Sequence, residues 1–157
     1  MSTRKVAILV ANGVEGESLK SLHAALTDAG AVPSFVAPRL GTFSTTGGGV
    51  IEADASMENS PPVIFDALIL PDGKAGVDAL GGDGRTMEFV ANQYRHCKTI
   101  LALGASQILL EKAGIPAGAS DAGMLRMKAS DKAAARTFMA AVAMHRHPER
   151  ETDPPMV

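Results

Sequence analysis

The stretch TILALGASQILL, Thr99–Leu110, decides the fold. An apolar run with strand character reaches Gly104, and a second apolar stretch with helical spacing starts directly behind it. A buried strand, a tight turn and a helix therefore follow one another without a spacer. Connections of this kind hold the turn residue out toward a crevice, where many α/β enzymes mount a nucleophile. The residue at this turn is Gly104, which has no side chain.

Working outward, strand-like runs recur at KVAILVA (Lys5–Ala11), VPSFVA (Val32–Ala37) and VIFDALIL (Val63–Leu70). Between the first two, Leu19, Leu22, Leu26 and Ala29 make one apolar stripe, closed by Gly30 where a helix would end. A helix is predicted over Arg85–His96, with Met87, Val90 and Tyr94 on one side. Another covers Ala105–Ala113 and stops at Gly114, with Pro116 beyond it. The last begins at a Ser130 or Asp131 cap and turns Ala135, Phe138 and Val142 inward, with Pro148 ending it.

Repeated strand–helix–strand order implies right-handed crossovers and a parallel sheet with helices on both faces. The expected class is α/β: a flavodoxin-like, doubly wound, mainly parallel sheet. GTFSTTGGGVIEAD (Gly41–Asp54) breaks the rhythm and reads as a small hairpin excursion. Residues 1–147 are expected to form one domain, and PERETDPPMV, residues 148–157, a polar mobile or extended tail.

Composition narrows the function classes. Hydrophobic residues make up 46% and aromatics only 4% of the 157 residues, which suits helices packed closely on a sheet. Fifteen basic residues face seventeen acidic ones, with no basic face, so nucleic acid and anionic membrane are poor partners. No apolar run approaches the ~20 residues that span a bilayer. The opening MSTRKVAILVA lacks a cleavage site, and the single Cys97 fits a reducing interior, so a cytoplasmic location is expected.

In a doubly wound sheet the crevice lies beyond the carboxyl ends of the strands. Three turns face it: NGVEGES, PDGKAG and GASQ. They carry Glu15, Glu17 and Asp72, a set able in principle to bind a metal or act as acid and base. The plainer reading has Glu15 and Glu17 complementing a helix dipole, and without nearby histidines no metal site or cofactor is expected. Gly73 and Gly76 either leave amides open to an oxyanion or simply shape a tight turn. Ser106, two residues past the turn, is placed to bond backbone, and no histidine is set to activate it. Cys97 stands before its strand, at the end away from the crevice, and reads as a semi-buried thiol at a helix end. His145 and His147, two apart on a helix, point to different sides; His23 reads as a boundary residue and Tyr94 as a packing one.

RKVAILVANGVEGESL, FVAPRLG, FDALILPDGKAGVDAL and FVANQYRHCKTILALG resemble, in that order, the C-terminal domain of large-subunit catalases; HRHPERE extends the likeness more loosely. That domain is similar to the class I glutamine amidotransferase-like superfamily, which includes intracellular-protease and parkinsonism-protein families. The resemblance implies a cysteine at the elbow of active members, at the positions of Gly104 and Ala105 here. It implies a glutamate on the first helix, at the position of Ser18, with Glu15 three residues earlier. It also implies oxyanion glycines at Pro71–Gly73, where Asp72 replaces a glycine. The elbow is kept and its chemical groups are missing.

The resemblance thus implies a non-catalytic domain that binds no haem and turns over no peroxide by itself. Its partners would be a catalase haem core or unfolding client proteins in oxidative stress, with a homo-oligomer as a further option. Two alternatives stay open. One is a small hydrolase or glyoxalase-like enzyme using Ser106 and Glu15. The other is a module holding a small molecule in the emptied crevice.

Overall fold

The computed structural model describes residues 4–116 and 123–144. β1 (Lys5–Leu9) sends Val6 and Ile8 to one face and Ala7 and Leu9 to the other, all fully buried. A strand apolar on both faces belongs inside a sheet covered twice. The chain continues through α1 (Gly16–Asp28), β2 (Val32–Ala37), the hairpin strands β3 (Thr42–Ser44) and β4 (Val50–Glu52), and the short β5 (Ala55–Ser56). Then come β6 (Ala67–Leu70), α2 (Lys74–Gly81), α3 (Gly84–Arg95), β7 (Thr99–Leu103), α4 (Gln107–Lys112), β8 (Met124–Met127) and α5 (Ala134–Val142).

Six strands form one sheet in the order β5-β2-β1-β6-β7-β8, and every pairing is parallel. Without the short edge strand β5 this is the flavodoxin-like order. Leu19, Leu22 and Leu26 of α1 and Phe138 of α5 pack on Val6, Ile8, Ile69 and Leu101. On the opposite face, Val77 and Leu80 of α2, Phe89 and Val90 of α3 and Leu109 of α4 pack on Leu9, Leu68, Leu70 and Ile100. The predicted doubly wound architecture and the β3–β4 excursion are both present, the latter antiparallel and separate from the main sheet.

Several boundaries differ from the sequence reading. Of Val63–Leu70, only Ala67–Leu70 is strand, and Pro62–Ile64 forms a 3-10 turn. Pro61 and Pro62 lack the amide donors that a ladder needs. The end of α3 holds this turn: Gln93 Nε2 donates to the Pro62 carbonyl at 2.7 Å. Lys98 Nζ donates to the Val63 carbonyl at 3.2 Å and to that of Phe65. Partial burial in this clasp pushes the Lys98 ammonium below the usual lysine range.

The helix expected from Ala105 opens instead with a 3-10 turn, Gly104–Ser106, before α4 begins. Lys74–Gly76 of the predicted turn PDGKAG open the helix α2, which continues through the unassigned Val77–Gly81, and MLRM is the unanticipated edge strand β8. Ala29 leaves the predicted stripe and is exposed at the end of α1. His145, His147, Pro148 and the tail 148–157 lie outside the described residues. No helix among the described residues is long and apolar enough to cross a membrane.

Cys97 is fully buried rather than half-buried. It has φ 58°, the one left-handed non-glycine among the described residues. Its N–H donates to the Tyr94 carbonyl at 3.0 Å and that of Lys98 to Gln93 at 3.1 Å, a Schellman end for α3. The bend that carries the chain straight from α3 into β7 seals the thiol. A water-soluble thiol reagent should therefore modify native Cys97 slower than the denatured chain by on the order of 100-fold, because reaction awaits local opening. Equal rates in buffer and in guanidinium would contradict this burial.

Candidate functional site

The parallel sheet places the carboxyl ends of β1, β6 and β7 at one end of the molecule. The chain leaves β1 toward β2 and leaves β6 toward β7, so β1 and β6 flank the switch point where α/β sheets open a crevice. The turns behind these two strands interlock. Glu15 N–H donates to the Asp72 backbone carbonyl at 2.8 Å. Gly73, at φ +103°, lies so close that a Cβ would stand 2.6 Å from both the Glu15 nitrogen and the Gly13 carbonyl oxygen. Only glycine satisfies both demands.

Glu15 is the N-cap of α1. Its carboxylate accepts from the Glu17 N–H at 2.8 Å, from the Ser18 N–H at 3.2 Å, and from the Ser18 hydroxyl. Ser18 thus closes the cap of α1, with both its N–H and its hydroxyl turned to Glu15. The Asp72 carboxylate is more telling. Its Oδ1 accepts from the Gly73 N–H at 2.8 Å and from the Ala105 N–H, just past the elbow, at 2.9 Å. Gly104 keeps the left-handed elbow conformation at φ +53°, and a Cβ built on it would overlap both carboxylate oxygens of Asp72. An aspartate from the neighbouring turn stands where an elbow side chain would begin.

A cleft of about 780 Å³ opens above this point. Asp72 and Gly104 line its floor, Glu15, Glu17 and Ser18 one wall, and Lys128, Asp131 and Lys132 the other. The three predicted carboxylates do converge on it. Ser106 does not line it: the residue is fully buried, and its hydroxyl donates to the Leu103 carbonyl at 2.8 Å and to that of Leu70 at 3.4 Å. Gly73 works through its backbone amide and is not among the lining residues. Cys97 precedes β7, at the opposite end of that strand from Gly104. His23 stacks on Phe35 with centroids 4.8 Å apart. The far wall, KASDK at residues 128–132, was missed by sequence reasoning; the packing of α5 beside α1 brings it over the cleft, and no local spacing signals that.

The Asp72–Gly104 geometry predicts strong coupling. Gly104→Ala should cost about 2–4 kcal/mol, combining left-handed strain with displacement of a hydrogen-bonded carboxylate. With Asp72→Ala already present, the same substitution should cost only the strain, about 1–2 kcal/mol. A double-mutant cycle by urea unfolding measures the difference, and additive effects would mean that the two side-chain positions do not compete for one space.

The chain matches the family described as the C-terminal domain found in long catalases over residues 2–152. It is 36% identical over 148 residues to catalase HPII of Pseudomonas putida, covering 94% of this chain and 20% of that protein. Against catalase HPII of Mycobacterium avium the identity is 34% over 165 residues, covering 98% and 23%. The chain thus spans about a fifth of the length of these relatives. Among solved structures, oxidized DJ-1 of Toxoplasma gondii superimposes with a TM-score of 0.76 at 17% identity, covering 90% of each chain. A two-domain protein of Anabaena variabilis with DJ-1/ThiJ/PfpI-like and ferritin-like domains gives 0.67 at 23% identity, covering 71% of this chain and 33% of that one. These likenesses show the fold, and the family match extends over nearly the whole sequence: the chain belongs to the family of C-terminal domains of long catalases.

Proposed function

We propose that this chain is a non-catalytic domain that stabilises a catalase assembly through its fold and surfaces. The observation that carries the reading is the Asp72 carboxylate, which fills the place of the elbow side chain and takes the Ala105 amide beside it. No nucleophile stands at Gly104, and the hydroxyl of Ser106 is turned into the backbone below. The sole tyrosine, Tyr94, is 1% exposed within the core, so it offers no phenolate to an iron. A holdase-like role toward unfolding proteins is the second form of the same reading, with no catalysis at the elbow.

The deciding experiment grafts this chain onto the Pseudomonas putida relative in place of that protein's matching segment, beside a version truncated before it. The graft should resist heat inactivation measurably longer than the truncated enzyme at equal haem content. Equal half-lives would overturn the stabilising role. For the holdase form, near-stoichiometric chain should suppress light scattering by a heat-unfolding client enzyme, where an inert protein of equal mass does not. The isolated chain should turn over neither peroxide nor ester, amide and glyoxal substrates, and any turnover abolished by Ser106→Ala or Glu15→Gln would restore the hydrolase alternative.

A further inference from the structure

The turn before β6 presents Val63 and Ile64 to solvent, 62% and 45% exposed, where turns usually carry polar residues. Long side chains from elsewhere hold it: the fully buried Gln93 donates to the Pro62 carbonyl, and Lys98 donates to those of Val63 and Phe65. Fixing a glutamine and a lysine costs rotamer freedom, and here that cost keeps two aliphatic side chains rigid in water. Beside the turn lies a second cleft, of about 580 Å³, lined by Pro62, Met87 and Phe89. Arg85, Arg95 and Lys112 line it too, against the single carboxylate of Glu88. Arg85 is paired with Asp83 at 3.0 Å, while no carboxylate among the described residues pairs with Arg95 or Lys112. The turn also runs up to the start of β1: Asp66 N–H donates to the Lys5 carbonyl at 2.7 Å, and Lys5 N–H to the Asp66 carboxylate at 2.8 Å. Val32, opposite Lys5 on β2, is a third exposed aliphatic at this end, away from the crevice.

We propose that the Val63–Ile64 tip and the basic cleft beside it are the docking face for the part of a long catalase that precedes this domain, and that the surface received there is apolar and acidic. The inference rests on the reading that the domain stabilises a catalase assembly, and it names the face that does so. In a C-terminal domain the rest of the polypeptide arrives through β1, which puts its partner at this end of the sheet. A tip already clamped by Gln93 and Lys98 enters a partner with little further ordering. Arg95 and Lys112 favour carboxylates and repel basic surfaces, which sets specificity more than affinity. Leu40 and Val50, equally exposed aliphatics, follow β2, whose end faces the crevice, and belong to no such face.

Hydroxyl-radical footprinting read by mass spectrometry tests this with unaltered side chains. Labelling is compared between the isolated chain and the graft onto the Pseudomonas putida relative. In the graft, labelling of Val63 and Ile64 should slow several-fold, while Leu40 and Val50 keep the rates of the isolated chain. Unchanged rates at Val63 and Ile64 would overturn the docking face even where the graft outlasts the truncated enzyme. Slowing shared equally by Leu40 and Val50 would overturn it as well. Protection confined to Val63 and Ile64 without a longer heat half-life would uphold the face and sink the stabilising reading instead. Arg95→Gln combined with Lys112→Gln should leave the urea midpoint of the isolated chain unchanged and return Val63 in the graft toward its unprotected rate. Protection undiminished in that variant would overturn the acidic character of the partner. Should the graft fail to assemble, isolated chain mixed with excess truncated enzyme is judged by the same labelling ratios.

Discussion

The rest of the site depends on the interlock between two turns at the switch point. The β1–α1 turn and the β6–α2 turn touch backbone to backbone: Glu15 N–H meets the Asp72 carbonyl, and neither Gly73 nor Gly76 has room for a Cβ. A Cβ on Gly76 would stand 2.7 Å from the Val14 nitrogen, so a larger residue must move main chain rather than a side-chain tip. Such contacts arise because parallel pairing sets β1 beside β6 in fixed register, Val6 against Ala67 and Ile8 against Ile69. With the ends of both strands fixed, Asp72 has little freedom in where its carboxylate goes. It goes to the elbow.

That placement explains why Gly104 and Asp72 belong together. A left-handed elbow strains any residue with a side chain, and proteins keep such strain where chemistry needs it. Glycine adopts the conformation without that strain, and its missing Cβ makes the space that the aspartate enters. Either residue alone would be a poor fit. A side chain at 104 would evict the carboxylate, and a glycine at 72 would leave the Ala105 amide to water.

The sequence exposed the parts of this fold that are long or strictly periodic. β1, β7 and the second half of the Val63–Leu70 run stand out because buried central strands are apolar throughout. The Leu19–Leu22–Leu26 stripe gives α1 for the same kind of reason. What stayed hidden lacks such a signal. β8 is a four-residue edge strand with Arg126 inside it, and α2 begins in a glycine-rich segment that reads as turn. Val63 and Ile64 are apolar yet exposed, held by hydrogen bonds from Gln93 and Lys98 some thirty positions away. At the site, Glu15, Asp72 and Gly104 were each recognisable, and the resemblance marked the missing cysteine. Their contact was not recognisable, because only the sheet order brings residue 72 beside 104.

An active elbow is costly to keep: it holds strain, and it leaves amide donors waiting for an oxyanion. Those costs are sustained where turnover repays them, and the usual trade of stability against activity follows. Here both costs are relieved within one contact. The strain is removed by glycine, and the waiting donors are satisfied by an aspartate from the next turn. The residues around the switch point thus give a crevice floor whose Gly73 and Ala105 amides are satisfied from within the chain. A domain valued for how firmly it holds its shape would gain from that exchange, and one valued for chemistry would lose by it.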